Sequence, residues 1–278
     1  MTDRVIEAIR NNAISAENLT PNYLRNHYRR NIYVDGRLAL YRGRGVFDDI
    51  DQLDQYLYTY GKMVNQQWSR PFSFSMIDSS TTLIDYGCGQ GLSFLNLTCN
   101  WAPDDPNQSW QDLIKSIVLI EPSKVALKRA QAIARFKFPD ASVNVVNKKL
   151  EELSSSDISY DDNEIYMHIF SQVLDIPFNE DFDFLDFFES ITSSKGIHYI
   201  LVVSHDIKQV NSSQLILKLY KYIAKKYVHD GLSLDDIKVL LNGTKDVVCK
   251  NATNLALNSF KTEDGYDSIS MFACIKTS

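Results

Sequence analysis

The segment Asp85-Tyr86-Gly87-Cys88-Gly89-Gln90-Gly91 ends an apolar run in an acid and then places three glycines at alternate positions. Glycine lets a chain turn at positive φ and bring its peptide N–H groups close to a ligand with no Cβ in the way. A helix that comes after such a turn offers further unpaired N–H groups to an anion. An acid at the end of a buried strand is costly unless a cationic or hydrogen-bond-donating partner meets it, so Asp85 calls for one. A second acid, Glu121, ends the apolar run 116–120; a carboxylate at such a strand tip can accept both hydroxyls of a ribose. Together these features suit a nucleotide-like ligand carrying a carboxylate or a phosphate. No GxxxxGK[ST] run occurs, and the glycine spacing departs from G-x-G-x-x-G, which counts against a phosphate loop and against NAD, although a dinucleotide fold alone would admit NAD. The competing reading is an ordinary strand-to-helix turn with incidental glycines and an exposed acid at position 121.

Proton-transfer candidates are few. Ser204-His205-Asp206 comes after the apolar run 196–203, and His205 is placed to accept a proton; the bland alternative is a histidine that caps a strand. His168 lies within an apolar run and reads as packed core. Cys88, Cys99, Cys249 and Cys274 form no CxxC pair and have no nearby histidine, so neither a metal site nor a disulfide framework is expected.

Such residues work only if a scaffold gathers the strand ends. Strands are expected at 81–87, 116–122, 142–147, 164–170 and 196–205, with helices at 93–101, 123–136 and 181–191 between them. Strands alternating with helices imply crossover connections and a parallel sheet covered on both faces, whose ligands lie outside the carboxyl ends of the strands. The tail reads as a helix over 212–228 and two antiparallel strands, 253–260 and 268–276. The expected class is therefore α/β, doubly wound and mostly parallel. The polar, proline-bearing stretch 101–110 reads as a surface insertion that lengthens the Asp85-to-Glu121 spacing.

The first part of the chain differs in kind. Residues 1–70 hold nine of the eleven arginines and carry a net charge of +2, against −8 for 71–278. Thr20-Pro21 marks a helix start, Asp35-Gly36 a hairpin turn within 31–41, and Ile50, Leu53, Leu57, Tyr60 and Val64 one face of a helix. These readings divide the chain into a mainly helical N-terminal cap with a hairpin, 1–75, and an α/β domain, 76–278. With 44% hydrophobic and 23% charged residues the chain is expected to be globular rather than disordered. It begins without an apolar leader and has no apolar run near the roughly 18 residues a membrane span needs, so a soluble, cytoplasmic protein with no membrane partner is expected.

At "DYGCGQG" (85–91) and "LIEPS" (119–123) the sequence resembles the class I S-adenosylmethionine-dependent methyltransferases. Their first motif is an acid, a variable residue and alternating glycines, and their second is an acid ending strand two. "EIYMHIFSQVLDIP" (164–177) resembles their fourth strand and the start of its helix, and the tail fits their seven-stranded Rossmann-like sheet with an antiparallel last strand. The resemblance covers about 80–278. It implies S-adenosyl-L-methionine as cofactor, with Asp85 on the methionyl amino group or its water and the backbone of Tyr86, Gly87, Cys88, Gly89 and Gly91 cradling the methionine. It further implies Glu121, with Pro122 next to it, on the ribose, an adenine contact near Leu150, and Phe170, Ser171 and Gln172 beside the sulfonium. Lys149 stands where the family often has an acid or amide, and no NPPY-like run comes after strand four.

Ser171 and His205 are the candidate catalytic residues, and Tyr56 and Tyr60 the candidate acceptor-binding residues. A small-molecule acceptor is favoured over RNA. The arginines and tyrosines interleaved over 23–45 keep RNA open, since aromatics stack on bases and arginines pair with phosphates, while the plain alternative is a solvated hairpin face. The alternative of another class is a methyltransferase-fold binding or scaffold protein without turnover.

Overall fold

The computed structural model describes residues 2–26, 40, 45–69, 77, 79–103, 105–158, 160, 165–206, 213–227, 247–248 and 254–277. They form two compact units, Met1–Leu150 and Glu151–Ser278.

In the first unit three described helices precede the sheet. Helix α1 (Arg4–Arg10) starts at Asp3, whose Oδ1 accepts from the backbone N–H groups of Val5 at 2.9 Å and Ile6 at 3.2 Å. Helix α2 (Pro21–Asn26) has the expected cap, with the Tyr23 N–H donating to Thr20 Oγ1 at 3.1 Å. Helix α3 (Ile50–Trp68) opens on a reciprocal capping box between Asp49 and Gln52, which satisfies two of the donors a helix start leaves open. It buries Leu53, Leu57 and Val64 of the expected stripe, with Ile50 and Tyr60 half-buried.

Strands β1 (Thr81–Tyr86), β2 (Ile114–Ile120) and β3 (Ser142–Val146) pair in parallel in the order β3-β2-β1. All six residues of β1 are buried, as a strand covered on both faces requires. Helix α4 (Leu92–Asn100) comes after β1, a short α5 (Trp110–Leu113) leads into β2, and α6 (Lys124–Lys137) leaves β2 from a Ser123 cap. Helix α3 packs against α2, α4 and α6, helix α1 against α6, and α2 against α4. The N-terminal helices also reach the carboxyl ends of β1 and β2, where Gln90 Nε2 donates to the Leu53 carbonyl at 3.1 Å and Ser123 Oγ to the Phe47 carbonyl at 2.5 Å.

The stretch 101–110 is a surface insertion only in its middle. Asp105, Pro106 and Asn107 are exposed, but Trp101 and Trp110 are buried. Trp101 Nε1 donates to the Trp68 carbonyl at 3.2 Å and Trp110 Nε1 to the Trp101 carbonyl at 2.6 Å. Its first end is thus tied to α3, and its second end to the first, by indole donors, which usually find a partner when buried.

In the second unit β4 (Ile165–Ser171) pairs in parallel with β5 (Gly196–His205), with α7 (Phe184–Ile191) between them in sequence. Strands β6 (Val247–Val248), β7 (Asn254–Lys261) and β8 (Asp267–Thr277) pair antiparallel, giving the order β4-β5-β8-β7-β6. Helix α8 (Gln214–Tyr227) packs on β7 and β8.

The class is the expected one, a doubly wound, mixed Rossmann-like sheet with antiparallel terminal strands and an N-terminal helical region. It has eight described strands where seven were expected, because the two-residue β6 adds to the far edge. No described helix is long and apolar enough to cross a membrane. Apart from Leu40, the expected hairpin over 31–41 lies outside the described residues, as do Arg29, Arg30, Arg42 and Arg44 and most of the expected boundary region 69–80.

Candidate functional site

The glycine segment forms the turn from β1 into α4. Gly87, Gly89 and Gly91 all have positive φ, at 65°, 52° and 90°, a region that costs residues bearing a Cβ. The two later glycines serve different ends. A Cβ on Gly89 would meet nothing within 4 Å, so that peptide borders open room, whereas one on Gly91 would lie 2.9 Å from the Phe94 ring and 3.4 Å from the Ala130 Cα. Gly91 therefore leaves room for the Phe94 ring of its own helix, while Gly89 keeps its surface clear.

The turn is pinned to β2. The Cys88 N–H donates to the Ile120 carbonyl at 3.0 Å and the Gly89 N–H to Glu121 Oε2 at 3.0 Å, while Glu121 Oε1 accepts from the Ser123 N–H at 2.9 Å. Burial pushes the Glu121 carboxyl up to about 7 despite these two donors. Pro122 is half-buried, and its carbonyl and that of Glu121 accept from Asn147 Nδ2 at 2.7 and 2.9 Å. An amide does stand after strand three, at 147, and it buttresses the Glu121 turn.

Asp85, near the end of β1, is fully buried. One carboxylate oxygen accepts a short hydrogen bond from Ser93 Oγ on α4, and the other, Oδ1, has no partner among the described residues. Burial raises its carboxyl to about 8; the Ser93 hydrogen bond works against this, and the nearby Glu121 adds to it. A buried carboxylate oxygen with no donor is the feature most in need of a ligand.

The neighbours are packed rather than open. Tyr86 is fully buried, and Cys88 is 3% exposed with its thiol pushed well up by burial and by the two acids, so any contact they make with a ligand comes from backbone. Leu150 is buried in a short 3-10 turn. Tyr56 and Tyr60 are half-buried on α3 in a ladder with Phe47, ring centroids 5.6 and 5.2 Å apart.

Phe170, Ser171, Gln172 and His205 lie in the second unit and form a group of their own. Phe170 is fully buried with its ring 5.8 Å from that of Phe184, and Ser171 ends β4 half-buried. Gln172 takes φ 58° and donates from its backbone to the Val203 carbonyl at 2.8 Å. His205 ends β5, two residues beyond Val203, the register partner of Ser171. Asp206 accepts from Ser213 Oγ at 2.8 Å and Ser259 Oγ at 3.0 Å, so it braces the chain after β5. His168 is fully buried, as expected.

Sequence reasoning missed Gln90, Ser93 and Arg129. Arg129 is 1% exposed, and its guanidinium donates to Asp3 at 2.7 Å, Asp54 at 2.9 Å and Gln90 at 2.6 Å. Its signal was its position: it shares the buried face of α6 with Ala126, Ala130 and Ile133, where an arginine must have partners.

Fold and site together define a doubly wound α/β protein with a glycine turn at the strand ends of its first unit. No family model and no curated protein matches the chain. Among solved structures it is similar to an S-adenosylmethionine-dependent methyltransferase from Leishmania major, at 13% identity over 94% of this chain and 83% of that one, TM-score 0.39. It is also similar to an O-methyltransferase from Bacillus cereus in complex with SAH, at 12% identity over 86% and 88%, TM-score 0.39, and to the METTL16 MTase domain, at 11% over 91% and 96%, TM-score 0.40. At these identities and scores, neither cofactor nor acceptor transfers from those proteins to this chain.

Proposed function

We propose that the chain binds S-adenosylmethionine at the turn after β1 and catalyses methyl transfer to a small-molecule acceptor. The observation that carries this reading is Asp85 Oδ1, a buried carboxylate oxygen without a donor among the described residues, close in sequence to a glycine whose surface faces open room. The residues present fit that cofactor. Asp85 would take the α-ammonium directly or through water, and the Gly87–Gly91 backbone would lie along the methionine. Glu121 would accept the ribose hydroxyls while keeping its two backbone donors, because a carboxylate has about four acceptor sites. When bound, the cofactor supplies an electrophilic methyl group on a sulfonium.

Methyl transfer from a sulfonium needs a nucleophile held in line, so positioning supplies much of the acceleration. We assign that work to Phe170 and Ser171 at the end of β4, to Gln172 next to them, and to the Tyr56 and Tyr60 rings. His205 would take the acceptor's proton where one must leave. A cytoplasmic setting suits the free thiols of Cys88, Cys99 and Cys274.

Calorimetric titration with S-adenosylhomocysteine tests the cofactor. Wild-type protein should bind, and Asp85→Asn should weaken binding about tenfold or more, the worth of a hydrogen bond to a charged group. Equal affinity in the two would count against the assignment.

A further inference from the structure

Gln90 is the only residue between Gly87 and Gly91 whose side chain hydrogen-bonds another element among the described contacts. It is 3% exposed; its Nε2 donates to the Leu53 carbonyl on α3 at 3.1 Å, and its Oε1 accepts from Arg129 on α6 at 2.6 Å. Arg129 uses two further nitrogens on Asp3, 126 positions away in sequence, and on Asp54, 75 positions away. Asp3 is also the cap of α1. One buried guanidinium therefore joins the start of α1, the first turns of α3 and the glycine turn.

The geometry restricts what could replace it. A guanidinium holds its donors in a fixed planar fork, whereas a lysine ammonium is a point from which three such separated acceptors cannot all be met. A buried charge that loses a partner is also strongly destabilising. Apart from the Gly91 N–H, which donates to the Cys88 carbonyl within the turn, the backbone hydrogen bonds described for the turn, from Cys88 and Gly89, run to Ile120 and Glu121. Three glycines in a row of five leave few side chains to fix the segment otherwise, so its flank towards the helices depends on Gln90.

We propose that Gln90 and Arg129 are positioning residues for the cofactor: by fastening the glycine turn to α1 and α3 they hold the Gly89 peptide in register with Asp85. The N-terminal helices are then part of the binding site. The inference rests on the proposed cofactor, since a turn that binds nothing needs no such register.

Full-length Gln90→Met and Arg129→Lys proteins test it, with Ile223→Val, a core change in α8, as a control for general loosening. Gln90→Met breaks the link without removing the buried charge, so a folding failure of the arginine variant would not decide the matter. Hydrogen exchange of the 87–91 amides in ligand-free protein and calorimetric affinity for S-adenosylhomocysteine are the two readouts. The turn should exchange faster in both variants, and affinity should fall about tenfold or more, with neither change in the control. Wild-type protein that does not bind S-adenosylhomocysteine overturns the cofactor reading. Wild-type binding, with turn exchange and affinity in Gln90→Met no different from the control, overturns the positioning role alone.

Discussion

Asp85 and Glu121 stand near the ends of neighbouring strands and are both raised by burial, to about 8 and about 7. Because both values exceed those of the unfolded chain, these two carboxyls hold more protons in the ligand-free native state than in the unfolded state from about pH 4 upward. Their contribution to stability therefore falls as pH rises through that window towards 8. An ammonium beside Asp85 reverses the preference and favours the carboxylate. S-adenosylhomocysteine binding at pH 7 should thus release protons, seen as a calorimetric enthalpy that varies with the ionisation enthalpy of the buffer. The release should vanish above about pH 9 and be reduced in Asp85→Asn; an enthalpy independent of buffer would refute the linkage. At this scale much was legible, because the acid and the glycines lie within seven positions of each other. Ser93 and Arg129 were not, since their roles depend on partners that only the packed helices bring near.

Elements show the same division between local and remote causes. Strand and helix positions came from periodicity and capping: the Thr20 cap of α2 and all ten residues of β5 lie where the pattern placed them. The anchoring of Trp101 and Trp110 was hidden, because an indole's partner is not encoded beside it. The Phe94 ring beside Gly91 separates the two glycines. Gly91→Ala should cost about 2–4 kcal/mol, from positive φ and overpacking together, and Gly89→Ala about 1–2 kcal/mol, from φ alone. Urea unfolding would rank them, and the milder variant should lose the more affinity for S-adenosylhomocysteine. Between β4 and β5, His198 Nε2 must donate to the Ser194 carbonyl at 2.9 Å, which leaves Nδ1 to accept from His168 Nε2 at 3.0 Å. Burial lowers the pKa of both rings, so below about pH 6.5 the unfolded state gains protons that the native pair refuses. The pair's contribution to stability should therefore fall on acidification in that range, opposite in sign to that of Asp85 and Glu121, and urea titration at stepped pH should show His168→Phe losing less stability on acidification than the wild type.

For the whole molecule, the compositional shift near 69–80 shows where the arginine-rich stretch ends, while the division into compact units falls after Leu150. Composition records charge, but compactness depends on contacts: Lys137 Nζ donates to the carbonyls of Ala16 at 2.8 Å and Leu19 at 3.4 Å, and Arg129 reaches Asp3 and Asp54. These bonds place α1–α3 with β1–β3 in one unit, which no windowed reading of composition could detect.

The acceptor is also decided at this scale, because binding RNA is a matter of summed charge. The chain carries −6 overall, and the positive balance is confined to residues 1–70. Long-range repulsion from the rest opposes a polyanion, although a local positive face can still hold one. A small acceptor held by aromatic rings and strand-end polar groups makes no such demand. Single-stranded and structured RNA should therefore show no retention in filter binding at low salt. If RNA were the acceptor and Arg29, Arg30, Arg42 and Arg44 each neutralised a phosphate, the slope of log affinity against log salt would be about −3 for a single strand. Replacing those four arginines would then abolish the retention. Steep, arginine-dependent binding would move the assignment to RNA. Absent binding, or retention indifferent to the four replacements, leaves the small-molecule acceptor, whose turnover should be nearly independent of salt because no counterions are released when it binds.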